Sequence, residues 1–472
     1  MTTMLFLDDQ PLDRMDNVVR KVGRPQIIPE SVYIDPDVNT HFGFPTVFHD
    51  EASGKWRMLY QGRNPGEPNP KLIAESDDGL RWAPRDTTKQ IDLPDRKHPH
   101  QLLPLEQYGQ WNCDVDDLGD PAERIKAPVG EGERGLASTA RVLVSPDGLS
   151  WNVKEDARWH PSPPDPLTSV FRNDVRQSYV ITTRPEGGDR RIAVVETKDW
   201  KNFTKPELAL QTDALDAPLT QTYGMAVIPY DGYYIGLLWL FHCVPEPPIK
   251  YLGGHMDCQL AYSLNGWHFQ RGLRDPFIPN GPPGDPDSGT VYPSCMIPKE
   301  DGSLWFYASA CMLEHGNVPK GDTGSLIAYS LRRDGFAYLE SAGGRGTIGT
   351  RALFWRGGEA QLNVQGHGGE VRVQVCDPGR VIGQNPTRSA TAPLEGYSFE
   401  DCEPFSGDDA TWMPAWKNGR TLSQMSGKAL RLEVQLDSAR LYAIRGDFVQ
   451  MQGRQSRVFS QDSVIPEPRP GF

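Results

Sequence analysis

Five times along this 472-residue chain a short apolar run ends in nearly the same turn. The copies read SDDGLRW from Ser76, SPDGLSW from Ser145, TKDWKNF from Thr197, SLNGWHF from Ser263 and, with one extra residue, SLRRDGF from Ser330. Each follows a strand-like segment (LIAE, RVLV, IAVVE, QLAY, LIAY), and the starts are 69, 52, 66 and 67 residues apart. Asp or Asn before Gly supplies an Asx-type turn and a residue free to take positive φ, and the aromatic after it begins a returning strand. One Asp-Gly turn is weak evidence; five spaced copies specify a repeating hairpin unit.

A second pattern lies upstream of the tips, a strand, a turn and an aromatic-rich strand. It is written as PTVFHDEASGKWRMLYQG, TSVFRNDVRQSYVITTR, MAVIPYDGYYIGLLWLF and SCMIPKEDGSLWFYASA, with DDLGDPAERIKAPV as a degenerate version. Two strands there and two flanking each tip make about four per unit, the signature of radially repeated four-stranded sheets. From Gly346 the punctuation changes to period-two segments such as EVRVQV and ALRLEVQL, as in half-buried sandwich strands. The expected chain is all-β: an N-terminal extension (1–39) packing on propeller or sandwich, a five-bladed β-propeller (40–340), a β-sandwich (346–450) and a tail (451–472). SAGGRGTIGTR reads as the linker between the two domains.

Composition excludes several classes. The net charge of −13 is spread along the chain with no Lys/Arg block, which argues against nucleic acid as a partner. No apolar run approaches the ~20 residues of a spanning helix. Seven cysteines, odd in number and without C-x-x-C or Cys/His spacing, read as reduced, mostly buried thiols. The N-terminus, MTTMLFLDDQ, lacks a basic segment leading into an apolar one, so a cytoplasmic location is expected. Homo-oligomerisation is left open.

FPTVFHDEASGKWRMLYQGRNP resembles the first blade of glycoside hydrolase family 32, and a propeller followed by a sandwich is similar to that family's architecture; the propeller alone is also that of family 43. LFLDD, DPAERIKA, YGMAVIPYDGYYIGLL and ARLYAIR look like segments of uncharacterised bacterial relatives of these families. The resemblance implies a carboxylate immediately before the Pro of the first blade, where this chain has Phe44 before Pro45. It also implies a sugar-holding Asp in the second blade, matched by Asp120, and an acid/base residue early in the third, matched by Asp165.

Propellers gather the leading ends of their innermost strands around one mouth, so the residues entering those strands are the candidates, and the ends of the second strands add a further polar ring, Arg63, Arg184, His242, and Glu314 with His315. Glycoside hydrolysis needs one protonated and one ionised carboxyl. Asp114, Asp165, Asp287 and Glu314 are the catalytic candidates. Asp120 and Asp165 read equally well as turn acids, and Asp285 and Asp287 lie in a loop sequence, GPPGDPDSG. His41, Asp120, Arg184, Gln221, Tyr223, His242, Tyr292 and His315 are the candidates for holding a sugar, with Asn39, Arg63 and Ser288 beside them. His41 reads either as a hydrogen-bonded structural histidine or as part of the mouth. No cofactor is expected, and no ligand spacing marks a metal, although a structural divalent cation at the propeller axis is compatible with two His and nearby carboxylates.

The expected function is a glycoside hydrolase or transglycosidase acting on a furanoside oligosaccharide of the fructo-, arabino- or galacto- type through a carboxylate pair at the axis. Phe44 motivates an alternative, a non-catalytic glycan-binding protein. A His/Tyr-dependent lyase or phosphorylase using His41, Tyr223 and His315 is the third reading.

Overall fold

A computed structural model describes residues 1–63, 68–105, 111–131, 139–159, 169–185, 190–244, 253–316, 324–378 and 392–451. The described secondary structure is β-strand with four short 3₁₀ turns, and no helix is long and apolar enough to cross a membrane. The seven cysteines are free thiols. Two compact units are present: Arg24–Arg332, and Met1–Gly23 together with Arg333–Phe472.

The first unit is a β-propeller. Three antiparallel four-stranded meanders come first, beginning with the strands Thr46–Asp50, Asp114–Val115 and Ser169–Asn173. A seven-stranded sheet follows, in which one parallel bridge, Met256 to Thr290, joins a ladder starting at Thr220–Tyr230 to another starting at Thr290–Pro298. The five starting strands touch in a closed circuit, and polar side chains bond across every gap. Thr46 Oγ1 donates to the Cys113 carbonyl, Val170 N–H to Asp114, Thr182 Oγ1 to the Met225 carbonyl, Trp239 Nε1 to the Pro293 carbonyl and Ser294 Oγ to the Pro45 carbonyl. Apolar cores fill the spaces between sheets, for example Phe48, Leu59, Ile125 and Leu143 between the first two. Each such side chain taken out of water stabilises the packing by about 1.5–3 kcal/mol.

The tips have the geometry their sequence asks for. Ser76 Oγ accepts from the N–H groups of Asp78 and Gly79, and Asp78 Oδ1 accepts from those of Leu80 and Arg81. Ser145/Asp147 and Ser263/Asn265 repeat the pattern. Gly79 and Gly148 both sit at φ +78°, where a side chain would be strained. In the third copy Trp200 occupies that position at φ +61°, its ring tilted against Tyr179 at 4.6 Å.

The fifth tip differs from expectation. Its returning strand, Ala337–Ser341, pairs with Val18–Val22 in the second unit's sheet, and the outer edge of the last propeller ladder is taken instead by Gln26–Ile27 from near the N-terminus. The 1–39 extension is thereby divided: Thr2–Leu5, Leu12–Asp16 and Val18–Val22 belong to the second unit, and Gln26–Ile27 to the propeller.

The second unit is a β-sandwich built on one eight-stranded sheet. Its two long strands, Leu353–Cys376 and Lys428–Gln450, pair along two stretches and bend at Ser438, φ +48°. They fold over a core containing Trp355, Val373, Trp416 and Leu432. The stretch read as a linker is a strand here: Arg345–Thr350 pairs with both Leu12–Asp16 and the 428–450 strand.

Candidate functional site: the leading mouth of the propeller

At the N-terminal ends of the starting strands an aromatic cluster closes the axis. Phe44, which stands where the resemblance implies a carboxylate, is 3% exposed and held at φ +45°. That left-handed backbone costs on the order of 1–3 kcal/mol in a non-glycine residue, and the packing around it compensates. The ring stacks on Trp239 at 5.0 Å, meets Tyr292 edge-on at 5.7 Å, and the Phe44 N–H donates to Ser309 Oγ at 3.3 Å. The position therefore faces the interior and presents no acid to the mouth.

Above this plug lie Phe42, Tyr223, Tyr292 and His315. Tyr223 contacts Tyr292 at 6.0 Å and His315 at 5.2 Å, and Phe42 contacts Tyr292 at 5.4 Å and His315 at 5.8 Å. His315 Nε2 lies 3.4 Å from the Tyr223 hydroxyl. Three guanidinium groups cover these rings: Arg63 over Phe42 at 4.6 Å, Arg184 over Tyr223 at 5.1 Å, and Arg190 over Tyr223 and Phe241 at 5.3 and 5.5 Å. Arg184 also donates to the Tyr223 carbonyl, and Arg190 to Gln221 Oε1 at 2.7 Å. Cations over aromatic faces are each worth roughly 0.5–2 kcal/mol, which holds the three guanidinium groups against the rings. Arg63, Arg184, Gln221, Tyr223, Tyr292 and His315, distant in sequence, are thus brought to one place.

His41 belongs to this floor in a structural capacity. It is 1% exposed, stacked on Phe42 at 4.3 Å and bonded through Nε2 to Thr290 Oγ1 at 3.0 Å. Burial, and then the positive charge of His315 and Arg63, depress it to about 3. A neutral imidazole at every physiological pH does not serve as a proton donor.

The carboxylates expected at one mouth are distributed over three places. Asp287 is buried and accepts from the Tyr329 hydroxyl at 2.6 Å, which ties its loop to the strand Gly324–Leu331. Glu314 is exposed, beside the backbone pairing of His315 with Gly254. Asp114 opens into a different space: a cavity of about 530 Å³ that runs from Thr46, Cys113 and Ser294 to the far ends of the starting strands at Glu51, Asp117 and Asp174. None of the aromatic or arginine residues of the mouth lines it. Asp120 caps the 3₁₀ turn Pro121–Glu123 through the Ala122 N–H at 2.9 Å. Asp165 lies outside the described residues.

Within that far cavity two acids, Asp114 on the strand and Asp116 just after it, are pushed apart. Burial drives Asp114 up to about 8, against the opposing pull of the Val170 N–H and the Ser169 hydroxyl. For Asp116 burial also pushes upward, but the Tyr179 hydroxyl at 2.7 Å and the Lys126 ammonium at 3.1 Å outweigh it and hold the carboxyl below its ordinary range. Opposed pKa values are what acid/base pairs require. Here, however, each group is consumed by a bond that locks neighbouring strands together.

Phe42 and Arg190 at the mouth, and His255 and Asp257 at its rim, were not among the sequence candidates. His255 lies directly opposite His242 across an antiparallel pair, with their rings stacked at 4.4 Å, and Asp257 follows two residues on. His242 Nε2 is 3.0 Å from Asp257 Oδ2. Burial, then the charge of His242, lowers the His255 pKa.

No family model matches the chain, and no curated protein does. Among solved structures it is similar to a glycoside hydrolase at 15% identity, covering 66% of this chain and 94% of that one with a TM-score of 0.44. It is similar to an N-acetylgalactosamine deacetylase from F. plautii in complex with blood group B trisaccharide, at 14% identity, 67% and 95% coverage and a TM-score of 0.43. An exo-β-1,3-galactanase from Phanerochaete chrysosporium aligns over 90% of this chain and 99% of that one, at 8% identity and a TM-score of 0.41. All stay below a TM-score of 0.5, so the chemistry is read from the side chains of the site.

Proposed function

We propose that the first unit is a five-bladed propeller related to glycoside hydrolase families 32 and 43, and that it acts as a glycosidase or transglycosidase on a small oligosaccharide, furanosides included. One observation carries the reading: Phe42, Tyr223, Tyr292 and His315 form an aromatic floor at the leading mouth, topped by Arg63, Arg184 and Arg190. The rings are buried (Phe42 2%, Tyr223 7% and Tyr292 0% exposed) and serve to hold the three half-buried guanidinium groups, which are the donors that sugar hydroxyls would meet. Glu314 is the proton donor in this proposal, as an exposed acid beside His315. Asp165 is retained as its partner on sequence grounds. Asp114 and Asp287 are left out of the catalytic pair, since each is engaged in a structural bond.

The test is turnover of nitrophenyl furanosides and of fructo-, arabino- and galacto-oligosaccharides, with Glu314→Gln as the informative variant. Product release that falls about 100-fold or more in Glu314→Gln, with sugar binding retained, supports the proposal. Absence of product from every one of these sugars defeats it, whether or not they bind. Phe44, turned into the interior, favours a second reading, a glycan-binding protein without turnover; saturable binding with no product after long incubation is its signature.

A further inference from the structure

His242, His255 and Asp257 form a grouping that the glycan reading does not use. The strands Tyr233–Val244 and Gly253–Ser263 pair with His242 opposite His255, and a period of two puts Asp257 on the same face as His255. One ligand atom from each of the three lies within 4.8 Å of the others. The surroundings are asymmetric. His255 is exposed, His242 is partly covered, and the Asp257 side chain is only 7% exposed. Asp257 Oδ2 is bonded to His242, whereas Oδ1 is buried without a hydrogen-bond partner among the described residues. A buried carboxylate oxygen with no donor is costly, by several kcal/mol in typical cases. One imidazole bond satisfies half of this carboxylate, and a cation would satisfy the rest once the two rings, stacked 13° from parallel, each turn a nitrogen towards it.

The other His/carboxylate grouping in the propeller, Asp35, Asp37 and His100, is different in kind. Asp35 already accepts from the Tyr33 and Tyr60 hydroxyls, from His100 and from the N–H groups of Asp37 and Val38. No orphaned oxygen is left there for an ion.

We propose that His242, His255 and Asp257 bind one first-row divalent transition cation, of the zinc class, at the rim of the leading mouth. Two imidazoles and a carboxylate are borderline donors suited to Zn²⁺ or Co²⁺, and they are a poor match for Ca²⁺, which takes six to eight oxygens. Three protein ligands leave a coordination position for water or another ligand, in contrast to closed four-ligand structural sites. The exposed Glu314 adjoins His315, whose backbone pairs with Gly254, the residue before His255. This site is independent of the glycosidase reading: cation content is measured without sugar, and sugar turnover without regard to metal stoichiometry.

The test uses the full chain, free of any histidine tag and dialysed against a chelator. Zn²⁺ is titrated in competition with a chromophoric chelator, and Co²⁺ is followed by its visible d–d absorption. One equivalent of each is expected, with Ca²⁺ unable to displace either. His255→Gln, at an exposed position that leaves folding undisturbed, is expected to weaken Zn²⁺ binding by about 100-fold and to bleach the Co²⁺ spectrum. Asp257→Asn should do the same, and His268→Gln, another exposed histidine, should change nothing. The proposal is overturned by the absence of a stoichiometric Co²⁺ spectrum, by binding that survives His255→Gln, or by Ca²⁺ outcompeting Zn²⁺.

Discussion

Asp114→Asn is expected to make the protein more stable at neutral and alkaline pH. The carboxyl has an ordinary value of 3.8 and is driven to about 8 in the folded chain, chiefly by burial. A raised acid is held neutral by the fold, so the unfolded chain ionises first as pH rises, and stability is lost between the two values. Each pH unit in that window removes about 1.4 kcal/mol, giving a penalty of up to about 4 kcal/mol at pH 7. Asparagine carries no charge and keeps the contacts: its carbonyl can accept from Val170 N–H, while its amide donates to Ser169 Oγ, whose own proton can turn to the Val227 carbonyl at 3.3 Å. His41 shapes the acid side. Its depression from 6.5 to about 3 means that the unfolded chain takes up the proton first, so stability is lost as pH falls below 6.5. From pH 4 to 6.5 the two slopes oppose each other, and from 6.5 to 8 Asp114 dominates, removing about 1.5 kcal/mol. Denaturant unfolding at pH 6.5 and 8, followed by tryptophan fluorescence, reads this directly. The wild type should weaken across the interval, whereas Asp114→Asn should be more stable at both values and lose the Asp114 slope. A variant less stable than wild type at pH 8, or one with an unchanged slope, would show that Asp114 is ionised and that its charge supports the fold.

Other consequences follow from individual side chains. Gly148→Ala forces a Cβ onto a backbone at φ +78° and within 3.0 Å of Phe48, so the chemical midpoint should fall by the equivalent of about 1–2 kcal/mol. Phe44→Ala removes the stack on Trp239 and should cost about 3 kcal/mol, measured by thermal unfolding. Arg184→Ala removes the guanidinium over Tyr223 and should weaken sugar binding about tenfold in calorimetry, with Asp114→Asn binding as the wild type does.

The repeat was readable because its tips carry their own chemistry: Ser76, Asp78 and Gly79 make the bonds that their types predict, in a geometry that needs no tertiary information. The edge strand Gln26–Ile27 was not, since two residues of pairing leave no periodic trace. SAGGRGTIGTR misled for a related reason. Gly346 is required by close approach, with a Cβ there coming within 2.4 Å of the Asn17 carbonyl oxygen, so a composition read as flexible belongs to a packed strand. At the mouth, the second-strand ends that carry Arg63, Arg184 and His315 were legible from strand polarity alone. His255 and Asp257 were not, because their meeting with His242 depends on a cross-strand register that no local signal encodes. Phe44 was recognisable as a departure, but its direction into the core follows from Trp239, nearly 200 residues away.

A crystal structure with a bound oligosaccharide bears most directly on where this propeller does its work. We expect a sugar at the leading mouth with its hydroxyls meeting Arg63, Arg184 and Arg190, over the buried rings of Phe42 and Tyr223. A sugar seated instead beside Asp114 and Arg172, in the cavity at the opposite ends of the strands, would contradict this reading.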